Sequence, residues 1–173
     1  MAPPRPDLKI EAHASHHDRD GFSCGVDSLD RYLRTQASQD VRRKANGVFI
    51  LVKPDKPGVV LGYYTLCATA LAQGDVPAAA RKHVPRYPLV SATLVGRLAV
   101  SQAQQGERLG AMLLADAVQR AYASAATVGS SMLVVDAFSE RAAAFHEGNG
   151  FVRLPDSLRL VLPMHTIQRL IEP

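Results

Sequence analysis

Apolar residues along the chain change their spacing at one place, and that change predicts a strand followed by a helix. Leu89, Val90 and then residues 94–100 form an apolar, partly β-branched run. Beyond it, apolar residues recur every four positions from Leu109 to Ala121. The spacing therefore switches from extended to helical across the polar stretch 101–106, which predicts a strand, a short turn and the first turn of a helix.

The same patterns predict further strands and helices on both sides of this junction. Short apolar runs bounded by turn residues are typical of strands, and apolar stripes with capping residues are typical of helices. Strands are predicted at 8–12, 47–52, 59–70, 131–136 and 158–164. Helices are predicted from Asp27 or Ser28, which can cap the first one, at 140–147 after the cap Ser139, and at 166–171. This mixture predicts an α/β (α+β) protein.

Length and composition favour one soluble domain. A chain of 173 residues can bury a useful core, so we expect a single domain over 1–173. No apolar run of about 18 residues predicts a membrane span, and residues 1–7 show no apolar leader. We therefore expect a cytoplasmic protein. The two cysteines, Cys24 and Cys67, lie far apart and are expected to be packed thiols.

Two stretches of the chain are basic, and the four cations of the second, residues 76–106, equal the net charge of +4 of the whole chain. Residues 31–44 carry a single acid, Asp40, and residues 76–106 carry none. Basic side chains dominate affinity for nucleic-acid phosphates, although a solvated face explains the first stretch equally well and a phosphorylated cofactor could explain the second. The residues expected to contact an anionic macromolecule are Arg31, Arg34, Arg42, Arg43, Lys44, Arg81, Lys82 and Arg86.

The predicted turn before the central helix has the chemistry of an anion site. The first main-chain N–H groups of a helix have no partner inside it, and the helix dipole adds positive charge there. Gly106 and Gly110 would let a ligand approach the backbone, and Arg108 could bond an oxyanion. Many helices after strands begin with Gly and bind nothing, so this pattern leaves both interpretations open.

Three histidines in one polar stretch raise the question of a metal site. His13, His16 and His17 have no acidic or thiol partner at a convincing spacing. A solvated loop is the favoured interpretation, and we predict that the protein holds no metal.

The central junction resembles the acetyl-CoA-binding segment of the GNAT superfamily of N-acetyltransferases. Gly-Arg-Leu-Ala-Val at 96–100 is followed by Gln-Gly-Glu-Arg-Leu-Gly at 105–110. The family has Gln or Arg, two residues, Gly, one residue, then Gly or Ala, so Arg108 stands where the family usually has Gly. We expect Arg108 to fit there as a helical residue. The resemblance implies acetyl-CoA contacts from Leu98, Ala99, Val100, Gln105, Gly106, Glu107, Arg108, Leu109, Gly110, Ala111 and Phe145.

A second segment, 142–151, also resembles the family but departs from it at His146. Most relatives have Tyr there, and that Tyr is usually assigned as the acid that protonates the departing CoA thiolate. An imidazole with its ordinary pKa near 6.5 could supply this proton near neutral pH. The alternative is a half-exposed helical histidine that lines the CoA channel. We further hypothesise that the main-chain N–H of Val100 stabilises the oxyanion.

With Gly-Phe-Ser-Cys-Gly at 21–25 and Gly-Tyr-Tyr at 62–64, the chain looks like the GNAT toxins of type II toxin–antitoxin pairs. That resemblance implies a mixed, mostly antiparallel central sheet flanked by helices. It also implies acetylation of the α-amino group of aminoacyl-tRNA, inhibition of translation, an antitoxin with a ribbon-helix-helix part, and a homodimer as in many relatives.

Two other functions stay open at this point. One is an ordinary GNAT enzyme acting on a small amine or a protein N-terminus, and the other is a non-catalytic binding protein that kept the fold.

Overall fold

The computed structural model describes residues 5–172. The prediction that no leader is present concerns residues 1–7, of which 1–4 lie outside the described part. The strands are β1 (Lys9–Ala12), β2 (Gly47–Val52), β3 (Gly62–Ala72), β4 (Leu89–Val100), β5 (Met132–Asp136), β6 (Val152–Arg153) and β7 (Arg159–Pro163). The helices are α1 (Asp27–Thr35), α2 (Ala37–Arg42), α3 (Ala78–Arg81), α4 (Leu109–Ala125), α5 (Glu140–Gly148) and α6 (Met164–Ile171).

The seven strands form one sheet in the order β1-β2-β3-β4-β5-β7-β6. The pairs β1/β2, β2/β3, β5/β7 and β6/β7 are antiparallel, and β4/β5 is parallel. The mixed, mostly antiparallel sheet expected from the resemblance is therefore confirmed. The β4/β5 register runs from Ala92 opposite Met132 to Val95 opposite Val135, and β4 continues beyond it to Val100.

The chain clusters into two compact units, each built from two stretches. The first unit contains residues up to Cys67 and Arg97–Ala117, and the second contains Ala68–Gly96 and the residues from Val118 onward. Each has its own apolar core. The first core includes Phe22, Tyr32, Leu33, Ile50, Tyr63 and Ala99, and the second includes Leu71, Val76, Val90, Met132, Val134 and Val161. The single domain over 1–173 stays a prediction.

Helix α1 begins without the predicted side-chain cap. Its N-cap is Val26, and no side chain of Asp27 or Ser28 caps it, so that prediction is wrong. One turn further on, the carboxylate of Asp30 accepts a hydrogen bond of 2.9 Å from the main-chain N–H of Cys24. In α5 the predicted cap is confirmed, because Ser139 Oγ accepts from the N–H of Ala142 at 3.1 Å.

Two short elements escaped prediction. Helix α3 has four residues and β6 has two, which is too short for any apolar period to show. Among the described residues, no helix combines the length and apolar character needed to cross a lipid bilayer.

Candidate active site

The end of strand β4 presents its main-chain groups alternately to its two edges. The N–H of Ser101 donates to the carbonyl of Leu61 at 2.8 Å, and the carbonyl of Ala99 lies 2.8 Å from where a Cβ on Gly62 would stand. Ala99 and Ser101 therefore direct their main-chain groups toward the chain of β3. Because these groups alternate along a strand, the N–H of Val100 points to the opposite edge.

A short segment near the start of the chain holds the turn that follows β4. The N–H of Gln102 donates to the carbonyl of Ser23 at 2.8 Å, and Gln105 Nε2 donates to the carbonyl of Cys24 at 3.2 Å. Gly25 has φ +92°, and a Cβ there would stand 2.7 Å from Gln102 Nε2. The Gly-Phe-Ser-Cys-Gly segment thus holds the turn in place through hydrogen bonds, and the side-chain amide of Gln105 donates one of them.

Six consecutive main-chain N–H groups lie without an acceptor in the described chain where helix α4 begins. In the described chain no acceptor bonds the N–H groups of 106–111, and the first helical bond runs from Met112 N–H to the carbonyl of Arg108 at 3.3 Å. The helix behind them has 17 residues, so its dipole adds positive charge at this end. Unpartnered donors together with this dipole make a site for an anion such as a diphosphate.

Backbone geometry explains the glycine pattern of this turn and corrects one expectation. Gly106 has φ +90° and is exposed. Arg108 has φ +60°, which is left-handed, so the expectation that Arg108 is accommodated as a helical residue is wrong, and α4 begins only at Leu109. A left-handed residue with a Cβ costs about 1 to 2 kcal/mol, which is the physical reason for glycine at this position in the family pattern.

His146 is buried in the second unit. Its residue is 6% exposed, and its ring lies between Phe145 and Phe151, with ring centroids 5.1 and 5.7 Å away. Nδ1 is buried without a hydrogen-bond partner in the described chain. The expectation of a half-exposed histidine is therefore wrong.

Burial also decides the charge of His146. Because desolvation disfavours the imidazolium, it lowers the pKa of His146 to about 4. The ring is therefore neutral near pH 7 in the free protein. The expectation of an ordinary pKa near 6.5 is wrong for the same reason.

All eight predicted basic residues are exposed to solvent. Those of the first unit lie in α1, in α2 and directly after α2, and those of the second lie in and after α3. Arg81 also donates a hydrogen bond of 3.0 Å to the carbonyl of Val76. Exposed guanidinium and ammonium groups of this kind can contact phosphates, as the sequence predicts.

A small histidine cluster in the first unit has the spacing of metal ligands but the wrong proton arrangement. Ligand atoms of Glu11, His16 and His17 lie within 4.8 Å of one another. However, Nδ1 of His17 accepts the N–H of Ala14 at 3.0 Å, so the neutral ring carries its proton on Nε2, which donates to Glu11 at 2.9 Å. A metal on Nε2 would require loss of that proton while Nδ1 already accepts one, which argues against ligation.

Two tyrosines of β3 and one arginine of β4 have surroundings that only the folded chain provides. Tyr63 and Tyr64 are both fully buried, although their side chains point to opposite faces of the sheet. Arg97, one of the four cations of the basic stretch 76–106, lies with its guanidinium 3.5 Å from the ring centroid of Tyr32. The sequence shows the charge of this residue but not its contact with a ring 65 positions earlier in the chain.

Comparison with known proteins adds a group of close relatives, although no protein-family model matches the chain. A curated "tRNA-acetylating toxin" of Mycobacterium tuberculosis (strain ATCC 25618 / H37Rv) is 34% identical over 155 residues, 89% of this chain and 90% of that protein. A solved structure of AtaT complexed with acetyl-methionyl-tRNAfMet is 30% identical, with a TM-score of 0.87 over 95% of this chain and 99% of that one. A mutant AtaT toxin bound to the C-terminus of the antitoxin AtaR and acetyl-CoA has a TM-score of 0.81 at 30% identity, over 96% and 99%.

Proposed function

The chain belongs to the GNAT toxins of toxin–antitoxin systems, and on that premise we propose that it acetylates the α-amino group of the amino acid on charged tRNA. The acetyl donor would be acetyl-CoA, and the modified aminoacyl-tRNA could no longer accept a peptide, so translation would be inhibited. The observation that carries this proposal is the row of unpartnered amides at 106–111, within a chain that matches a tRNA-acetylating toxin along 89% of its length.

Acetyl-CoA fits the donor set of the first unit. Its pyrophosphate would accept hydrogen bonds from the amides of residues 106–111, at the positive end of α4. The pantetheine arm would follow the edge of β4 opposite to β3, along Leu98, Ala99 and Val100. Phe145 of the second unit is a further proposed contact of acetyl-CoA, on the basis of the family resemblance alone.

The proposed reaction needs no covalent enzyme intermediate. The neutral α-amino group attacks the thioester carbonyl, forming the C–N bond and an oxyanion, and the C–S bond then breaks to release the CoA thiolate. The amine loses one proton, and the thiolate gains one. The N–H of Val100 points to the edge of β4 where it could stabilise the oxyanion by a hydrogen bond. An α-amino group has a pKa near 8, so part of it is neutral at physiological pH without a strong base.

His146 is the proposed source of the proton for the thiolate, in place of the usual Tyr. In the free protein its ring is neutral, so it must first accept a proton, such as the one that the amine loses, before it can donate one to the thiolate. A thiolate developing against the ring would favour the imidazolium and raise the pKa, because opposite charges stabilise each other strongly in a desolvated site. The exposed basic residues of both units would contact the tRNA backbone.

The partner proposed for the toxin is an antitoxin with a ribbon-helix-helix part. Support comes from AtaT, whose structure was solved with the C-terminus of its antitoxin AtaR. An acidic segment would complement the exposed cations of this chain. A homodimer is proposed on the resemblance alone.

Acetyl transfer to charged tRNA is the direct test. The protein is incubated with acetyl-CoA and a pool of aminoacyl-tRNAs, and the released aminoacyl adenosine is analysed by mass spectrometry. We expect one added acetyl group on at least one amino acid. Transfer to peptides or small amines without any transfer to aminoacyl-tRNA would contradict the proposal and favour an ordinary GNAT enzyme.

A further inference from the structure

Arg97 on strand β4 carries a guanidinium whose N–H groups are all available for a ligand. The group lies 3.5 Å from the centroid of the Tyr32 ring. Within residues 5–172 it forms no hydrogen bond and no ion pair, although it is only partly exposed. The hydrogen-bonding capacity of this guanidinium is therefore left to solvent or to a ligand.

The ring beneath Arg97 is held firmly. Tyr32 is 7% exposed, its ring stacks on that of Tyr63 at 6.4 Å, and its hydroxyl donates to Asp40 at 2.8 Å. Burial is the main cause that raises the pKa of Tyr32, and the hydrogen bond to Asp40 raises it further, so the phenol stays neutral. A neutral, immobile aromatic face attracts a cation and restricts its motion.

Asp40, a carboxylate on which the Arg97 charge acts, is already occupied by other donors. Asp40 accepts hydrogen bonds from Tyr32, from Gln36 Nε2 at 3.0 Å and from Asn46 Nδ2 at 3.0 Å. The Arg97 charge acts on Asp40 through space and helps to lower its pKa, after the larger effect of Gln36. The guanidinium fork itself remains unpaired.

Such a fork is suited to phosphate. Two parallel N–H groups of arginine match two phosphate oxygens, and a side chain that is already oriented loses little entropy on binding. Arg97 shares its face of β4 with Ala99, which packs with Tyr32 and Leu33 of α1, and it lies three positions before Val100. The amides of 106–111 already provide for the phosphates of CoA.

We propose that Arg97 binds a backbone phosphate at the acceptor end of the aminoacyl-tRNA, and that Tyr32 is the positioning residue that orients it. This inference rests on the proposed function, since it names a substrate contact of that reaction. The Tyr32 stack would place a fixed positive charge beside the strand end where the thioester is expected. This contact would fix the position of the tRNA acceptor end relative to the acetyl group.

The test uses equilibrium binding by the full chain, separately for aminoacyl-tRNA and for acetyl-CoA. Arg97→Met keeps the apolar stem and removes the fork, and it should weaken aminoacyl-tRNA binding about tenfold while leaving acetyl-CoA binding unchanged. Arg97→Lys keeps the charge and should restore binding in part. The slope of log affinity against log salt should fall in Arg97→Met by about 0.7 to 0.9, the share of one phosphate.

Two controls separate this contact from a loss of structure. Arg169→Met removes an exposed arginine of α6, and this variant should bind aminoacyl-tRNA like the wild type. Tyr32→Leu keeps the arginine but removes the stack, so aminoacyl-tRNA binding should weaken although the charge remains. Thermal unfolding of every variant identifies any that do not fold.

The outcomes distinguish a failure of the Arg97 contact from a failure of the proposed function. Unchanged aminoacyl-tRNA binding in Arg97→Met overturns the inference. Equal losses for aminoacyl-tRNA and acetyl-CoA also overturn it, because they assign Arg97 to a CoA phosphate. Acetyl transfer by the wild type is measured in parallel with these binding assays. A wild-type protein that binds aminoacyl-tRNA without acetylating it contradicts the proposed function. The binding assays still decide whether Arg97 contacts the tRNA.

Discussion

At the scale of single residues, the proposed role of His146 as an acid and the burial of its ring have opposite requirements for its charge. Its position in the segment 142–151 resembles that of the family acid, whereas its burial makes it neutral. A group without charge near pH 7 can supply a proton only after its surroundings change. Binding of acetyl-CoA and departure of the thiolate are the changes the reaction provides.

Substitution of His146 tests its part in turnover. His146→Ala should lower kcat with saturating acetyl-CoA, because no other acid has been assigned to the thiolate. His146→Tyr should preserve or raise kcat, since it restores the usual family residue. Unchanged kcat in the alanine variant would remove His146 from the mechanism.

The lowered pKa of His146 also predicts a pH-dependent stability. The pKa is about 4 in the folded protein and about 6.5 when unfolded, so between these values the unfolded state binds more protons. The free energy of unfolding should therefore be highest above pH 6.5 and fall as the pH falls toward 4, by up to about 3 kcal/mol from this group.

His146→Leu is the matched control for that pH effect. Its unfolding free energy, measured by denaturant titration at pH 7 and pH 4.5, should change less than that of the wild type. Equal changes in both proteins would show that His146 carries no such linkage.

At the scale of elements, the turn between β4 and α4 combines a flexible residue and a strained one. Gly106 adopts φ +90° freely, whereas Arg108 adopts φ +60° at a cost. The support from Ser23, Cys24 and Gly25 holds the turn in place despite that cost. Strain at a ligand site of this kind is retained because the surrounding structure over-determines the backbone.

Replacement of Arg108 separates the strain from the charge. Arg108→Ala removes the guanidinium but keeps a Cβ, and Arg108→Gly removes both. We expect the glycine variant to have the higher free energy of unfolding, by about 1 kcal/mol, because only glycine adopts the left-handed region without cost. Chemical denaturation measures this difference, and an alanine variant that is equally or more stable would contradict it.

At the scale of the whole molecule, two exposed basic stretches suit a large anionic substrate better than CoA alone. The cations of the first lie in α1, in α2 and directly after α2, and those of the second lie in and after α3. The basic side chains of both stretches are exposed, so their charges can contact phosphates. Long-range attraction of this type acts on association with tRNA and is screened by salt.

Charge reversal in the second stretch is the corresponding prediction. Changing Arg81, Lys82 and Arg86 together to Glu should abolish acetylation of aminoacyl-tRNA, because phosphate contacts become repulsions. Acetyl-CoA binding, measured by calorimetry, should stay near that of the wild type. Equal loss of both would contradict the assignment of these residues to tRNA.

The sequence by itself determined the main elements and the location of the anion site. Apolar spacing switched from extended to helical at 101–106, and the structure places the strand end and the start of α4 on either side of that stretch. Motif resemblance supplied the family, which the relatives confirm along most of the chain. Such local information is readable because strand and helix periods are properties of neighbouring residues.

Tertiary structure alone decided how the site residues are supported and charged. Burial between two phenylalanines set the pKa of His146, the segment 23–25 fixed the turn, and the Tyr32 ring placed Arg97. The backbone of Arg108 turned out left-handed, although arginine gives no local reason for it. The support of the turn and the Tyr32 contact join residues far apart in the chain, and desolvation and stacking arise only when folding brings groups together.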